Sequence, residues 1–457
     1  MKKFMLLSCF LVYVNVLFGQ NQRSYEDIHI LDVNVIDVVT GQVSPDMHIT
    51  ISDGKIKYVS STSLPIKSTD LIIEAKGQYI MPGLAEMHAH IPPPSTGDER
   101  ITEVLFLYLS NGITAIRGML GDSSHLALRS ASESSQLLSP RIFTSSPSLN
   151  GNSVTSLEEA DRKVRKYKEN GYDFLKIHPG ISRENFDQIV ETANLVDIPF
   201  AGHVPVDVGI RHALKSRYAS IDHVDGFIEG LVPASEDVEP TENGFFGYNF
   251  TPLVDTTLID ELVSLSRENE VWIVPTQSLF ERWFAPVTAD VLLAQPEMQY
   301  MPPATRRNWL RVKNQYMTDE NFNEEQWKKF DHIRKKLINA LSKDGHGILL
   351  GSDAPQLFNV PGFSIHHEIA GMQNAGMSNL EIIQAGTINT ARFFNQTDVF
   401  GQVKEGLSAD LILLGANPLE NIGALREIIG VFRNGQFISK ETIDLRLSEM
   451  ANKYKSD

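Results

Sequence analysis

His88 and His90 stand one residue apart in "MPGLAEMHAHIPPP" (81–94). On a β-strand alternate side chains share a face, so both imidazoles project to the same side and could hold a metal ion. Residues of the same ligating type recur where other apolar runs stop: Lys176 in "DFLKIHPG", His203 in "PFAGHVP", His223 in "SIDHVDG" and Asp353 in "LLGSDAP". Singly, each has an ordinary explanation: a buried histidine satisfied by backbone, a lysine reaching solvent, an aspartate capping a turn. Six concordant placements on five runs are not produced by hydrophobic patterning alone. Leu175 and Ile177 share the face opposite Lys176, which turns its amine inward. A lone ammonium there is costly, and neighbouring cations depress its pKa further. A neutral lysine amine reacts with carbon dioxide to give a carbamate, an anionic oxygen ligand suited to bridging two metals.

The elements that must position these residues form an α/β pattern. Between 81 and 399 strand-like runs alternate with helical ones, the signature of βα units on a parallel sheet. The strands are "MPGLAEMHAH", "NGITAIRGML", "RIFTSS" (141–146), "YDFLKI", "VDIPFAGH", "YASIDH", "VWIVPT" and "HGILLGSD". Ser156 and Glu159 predict a capping box for a helix ending near Asn170, with Gly171 as its stop. Trp327, Phe330, Ile333 or Arg334, Leu337 and Leu341 form one helical stripe. Eight such units make a (β/α)8 barrel. Two insertions, 226–256 and 280–322, follow strand ends and are placed to cover a pocket or to pack against the barrel or a sister subunit. The chain ends, 21–80 and 400–457, read as short strands with hairpin turns at Asp53-Gly54 and Asn434-Gly435. They are expected to meet in one flanking β-sandwich.

This constellation resembles the metal-dependent amidohydrolase superfamily in its binuclear, carboxylated-lysine form. The resemblance extends over "ISDGKI", "MPGL", "NGITAIR" and "TINTARFF…GQVKEGLSADLILL", essentially the whole chain beyond its first residues. In detail it looks most like the imidazolonepropionase-like and prolidase-like branch. The resemblance implies that His88, His90 and Asp353 bind the more buried of two divalent metals, that His203 and His223 bind the outer one, and that carboxylated Lys176 bridges them. It also implies hydrolysis by an activated water, with Asp353 as the catalytic proton carrier. Zinc is the default ion, though the same donors accept manganese, cobalt, nickel or iron. "GHVPVD" lacks the His-x-x-Glu pattern of adenosine-deaminase-like members, and Lys176 argues against the single-metal imidazolonepropionases. Glu86 occupies a place where many members have aspartate.

The expected substrate is a small amide, such as a dipeptide or an N-acyl amino acid. Esters, lactones and phosphotriesters are the alternative, and a metal-binding protein that no longer catalyses is a reading of a different class. His178 shares the inward face of Lys176, while Tyr248, Gln277 and Arg282 are expected on loops above the mouth, Arg282 as a partner for a substrate carboxylate.

Composition narrows the field further. Asp and Glu outnumber Lys and Arg 57 to 41, a formal charge of −16 that disfavours nucleic acid and anionic bilayers. Residues 1–20 carry Lys2 and Lys3 before about 15 mostly apolar residues, too few to span a membrane and consistent with an export signal to the periplasm or beyond. The apolar stretch before Cys9, the only cysteine, is too short for a lipid-attachment box. Cleavage after Gly19 would leave no cysteine, so metal would be held by nitrogen and oxygen alone. Homo-oligomers are common among such barrels.

Overall fold

A computed structural model describes residues 25–318 and 322–455. The export segment 1–20 and Cys9 lie outside the described residues. Among the described residues no helix is long and apolar enough to cross a membrane.

Five strands occupy the N-terminal part: β1 (Asp27–Ile36), β2 (Val43–Ser52), β3 (Lys55–Ser60), β4 (Leu71–Glu74) and β5 (Tyr79–Pro82). The central part supplies β6 (Leu84–Ala89), β7 (Ile113–Gly118), β8 (Arg141–Thr144), β9 (Leu175–Ile177), β10 (Phe200–Gly202), β11 (Ser220–Asp222) and β12 (Trp272–Val274). Strands β6-β7-β8 pair in parallel, as do β9-β10-β11-β12. Short bridges link the two sheets. Ser145 pairs with Phe174, and the Asp173 N–H donates to the Thr144 carbonyl at 3.0 Å. On the other side Ile273 pairs with Ile348, while Met87 and His90 donate to Leu350 and Ala354 at 2.9 and 2.8 Å. The eighth segment, expected as the strand "HGILLGSD", thus bonds to both β12 and β6 through isolated bridges without forming a regular strand. The eight parallel segments therefore follow one another in a ring. Every residue of β6 and β7 is buried, as expected of parallel strands covered by helices on one face and filled by side chains on the other.

The helices sit between the segments where periodicity places them. Leu157–Glu169 begins at Ser156, whose Oγ accepts from the Glu159 N–H at 3.2 Å, and is followed by Gly171 at φ +83°. The reciprocal half of the expected box is absent: the Glu159 carboxylate accepts instead from the Thr155 N–H and Oγ. Glu324–Asp344 buries Trp327, Phe330, Ile333, Arg334, Leu337, Ile338 and Leu341, the expected stripe with both candidates at its third place.

The chain ends meet in one continuous hydrogen-bonded sheet. With β13 (Leu411–Leu414), β14 (Ile428–Arg433) and β15 (Gln436–Ser439), the order is β15-β14-β13-β5-β1-β2-β3, and β4 also pairs with β1. Register shifts in β1 next to Asp32, which lies at φ +56°, let its first half pair with β4 and its second with β5. The edge strand β3 exchanges backbone bonds with Leu407 and Gly406, just before β13, so the sheet bends round its own core of Ile30, Ile49, Ile56, Leu411 and Phe432. Both hairpin tips take the left-handed conformations their Asp-Gly and Asn-Gly sequences favour, at φ +49° and +73° and at +50° and +71°. The tail then forms a helix, Lys440–Lys453, where only strands were expected. It docks on the helix Asp98–Ser110, with the Arg446 guanidinium 4.0 Å from the Phe106 ring centre.

Candidate metal centre

The ring of parallel segments brings the expected ligands together at one end. His88, Lys176, His223 and Asp353 are buried, Lys176 completely. The imidazoles form a continuous row, with ring centres 5.3 Å apart for His90 and His88, 4.6 Å for His88 and His223, 4.7 Å for His223 and His203, and 4.9 Å for His203 and His178. Asp353 Oδ1 lies 2.7 Å from His90 Nε2 and 3.5 Å from His88 Nε2. Donor atoms of His88, His90 and Asp353 all fall within 4.8 Å of one another. Donors sharing one ion at about 2.1 Å lie about 3 to 3.5 Å apart, so small side-chain adjustments would bring these three onto a common ion.

The rings are oriented partly by residues inside the motifs, Asp222 and Asp225, and partly by residues outside them. His203 Nδ1 meets Asp225 Oδ2 at 3.0 Å, His223 Nδ1 meets Thr276 Oγ1 at 2.8 Å, and His178 Nδ1 meets Ser148 Oγ at 2.6 Å. His88 Nδ1 lies 3.1 Å from Asp222 Oδ2, not aligned as a hydrogen bond. With Nδ1 of His203, His223 and His178 engaged, Nε2 is the nitrogen those rings have left to face an ion. His223, Thr276 and Asp353 also have positive φ, at +66°, +45° and +63°. Such conformations are rare for residues other than glycine, and here they gather where strands end and the site begins.

Asp222 is fixed from behind by Arg117, a fully buried residue of β7. Arg117 donates to Asp222 Oδ1 at 2.8 Å, to Ser220 Oγ at 2.7 Å and to the Met87 carbonyl at 2.7 Å, tying three segments together. Arg117→Met would leave the Asp222 carboxylate buried without its cation. The expected cost is about 3–5 kcal/mol of stability, read by denaturant unfolding of metal-free protein. A loss below about 1 kcal/mol would mean that other groups compensate Asp222.

Electrostatically the centre is prepared for something positive and electron-accepting. Burial, with the nearby Lys176 and other cations, pushes His88, His203 and His223 well below the usual imidazole range, so these rings are neutral donors. Burial also brings the Lys176 amine down to about 8, opposed by Asp222 and Asp353. Lys176 Nζ and Asp222 Oδ2 lie 4.0 Å apart, and neither has a hydrogen-bond partner. Two orphaned buried polar atoms beside a row of neutral imidazoles fit a metal centre, whose ions and ligands would satisfy them. Glu86 has a different task. Pushed up to about 8 by burial, it accepts from the backbone and hydroxyl of Ser352 and from the His88 N–H, fastening β6 to the segment that carries Asp353.

The expected substrate contacts divide. His178 does line the row of imidazoles, held by Ser148. Tyr248, Gln277 and Arg282 are not on open loops. Tyr248 is buried in a short 3-10 stretch and its hydroxyl donates to the Asn323 carbonyl. Gln277 and Arg282 belong to the helix Gln277–Trp283. The Gln277 amide is shared between Asp331 and Arg334, and the two terminal nitrogens of Arg282 face Gln295 and Glu297 inside the insertion, its Nε remaining buried without a partner. The residue that does reach the site from an insertion is Phe246. Its backbone and that of Gly247 are left-handed, at φ +53° and +77°, which swings the ring to 5.4 Å from His223 and 5.9 Å from His203.

The family model described as the amidohydrolase family matches residues 79–232 and 308–438, more than half of the sequence. The chain belongs to the amidohydrolase family. Ochratoxinase from Aspergillus niger is 22% identical over an alignment covering 83% of this chain and 79% of the fungal protein. Among solved structures, a bottromycin amidohydrolase superposes with a TM-score of 0.73 at 21% identity, covering 94% of this chain and 91% of its own. A protein described as a prolidase from Bifidobacterium longum gives 0.66 at 21%, covering 93% of this chain and 99% of its own. This amidohydrolase therefore shares its fold with structures that span nearly its full length.

Proposed function

We propose that this amidohydrolase is a metal-dependent hydrolase of the prolidase-like branch, working on an amide bond in a small substrate such as a dipeptide or an N-acyl amino acid. The ring of eight parallel segments is read as a (β/α)8 barrel with its site at the carboxyl ends of the strands. The single observation that carries the reading is the His88, His90 and Asp353 donor group standing beside the orphaned Lys176 amine. His88, His90 and Asp353 would hold one divalent ion, zinc by default, and His203 and His223 a second, with Lys176, as its carbamate, as a further oxygen ligand. When bound, such ions polarise a carbonyl and acidify water. Asp353, nearly buried and beside both first-strand histidines, accepts the proton of the attacking water and returns it to the departing amine nitrogen. Phe246 shields the side of His203 and His223 from bulk water. Names carried by relatives, among them prolidase and bottromycin amidohydrolase, support amide hydrolysis. Residues 1–20 are read as an export signal, placing the mature protein outside the cytoplasm.

The test is a panel of dipeptides, N-acyl amino acids, lactones and phosphotriesters assayed with zinc-, manganese- and cobalt-loaded protein. Amides are expected to turn over fastest. Fast turnover of lactones alone would overturn the amide reading, and about two equivalents of metal without hydrolysis anywhere would point to a binding protein.

A further inference from the structure

From the metal centre a groove of about 680 Å3 runs outward. His90 stands at one end, Tyr454 and Lys453 of the tail helix at the other, and Ile91, Pro93, Leu120, Pro302 and Pro355 form much of its wall. The size falls within the range of small-molecule sites. The wall leaves apolar surface uncovered: Leu120, two residues beyond β7, is 45% exposed. His90, which lines the groove, has its Nε2 2.7 Å from Asp353 Oδ1, so the groove opens beside the proton-carrying carboxylate.

Its charged end offers no anchor for a carboxylate. Arg100 donates to Glu103 at 3.2 Å and to the Tyr300 carbonyl at 3.3 Å, and Lys453 is held by Glu99 at 2.8 Å and Glu103 at 2.7 Å. With these cations neutralised, and with Arg282 committed elsewhere, what the groove can gain from a ligand is burial of apolar surface.

Resting on the proposed amide hydrolysis, we infer that this groove binds an extended apolar arm of the substrate, and that the tail helix completes the specificity pocket. The favoured substrates are then amides bearing a long alkyl or aryl group on one side of the scissile bond, in preference to small dipeptides.

The test uses the metal-loaded full chain and two homologous series, N-acylglycines and N-alkylacetamides, with arms of two to ten carbons. In one series kcat/KM should rise about fourfold per methylene until the groove is filled. Leu120→Asp makes the wall polar and Thr305→Trp fills the groove from the helix Pro303–Met317, so each should flatten that rise. Val291→Trp, on an exposed position away from the groove, should not. Calorimetric binding of the same compounds supplies a readout that does not need turnover. Absence of turnover together with chain-length-dependent binding that both groove variants abolish would sink the amide reading and keep the groove. Turnover or binding that is flat in both series, or a slope unchanged in both variants, would overturn the groove assignment.

Discussion

Replacing Asp353 with asparagine should lower kcat for amides by about 10³-fold or more, since the variant cannot accept and return a proton. Proton delivery matters most when the leaving group is a poor one. An activated ester, whose phenolate departs without protonation, should therefore lose far less. Paired measurements of an N-acyl amino acid and its activated ester analogue read this difference directly. Equal losses on both would reassign Asp353 to holding the ion alone, which its position 2.7 Å from His90 Nε2 would also permit.

Lys176→Met gives the second large effect, with opposite signs for activity and stability. Activity should fall by about three orders of magnitude, on the scale of losing an activated nucleophile, and bound metal should drop from about two equivalents to one or fewer. Short carboxylates such as acetate, which can enter the space of the missing carbamate, should restore part of it. Metal-free protein should become more stable, because an ammonium without a hydrogen-bond partner is replaced by an apolar chain of similar length. The sign follows from the lysine being depressed in the folded state. Below pH 8 the folded protein must either carry a buried charge or give up a proton that the unfolded chain keeps, a penalty on the order of 3 kcal/mol that fades between about 8 and 10.5. Chemical denaturation of metal-free protein at pH 7 and pH 10 measures both limits. A variant that retains two metals and full turnover would remove Lys176 from the centre.

The six candidate positions, and their gathering at one end of the ring, were legible because alternation along a short apolar run fixes which residue faces inward at a strand end. Lys176 is the clearest case, set between Leu175 and Ile177, which pack in the main core. The residues that orient the ligands were harder to read. Asp222 and Asp225 flank His223 in "SIDHVDG", and adjacency was a usable signal for them. Arg117 and Thr276 reach their partners from distant strands, through contacts that only the folded ring creates. Tyr248, Gln277 and Arg282 were misplaced because polar residues in or just before an insertion suggest a solvated loop. These insertions instead fold into short helices with interiors of their own, where such groups satisfy one another. The Asp-Gly and Asn-Gly turns located both hairpins, but no local signal told that β1 would divide its edge between β4 and β5.

The pairing of β5 with β13, Pro82 opposite Leu411, has a consequence for how the chain is made. Roughly 330 residues separate these partners, and at ribosomal rates of about 5–20 residues per second β5 waits tens of seconds for β13. Throughout that interval β5 offers an open edge of the kind that recruits foreign strands. Closure of this sheet thus waits on β13, a strand made long after its partner.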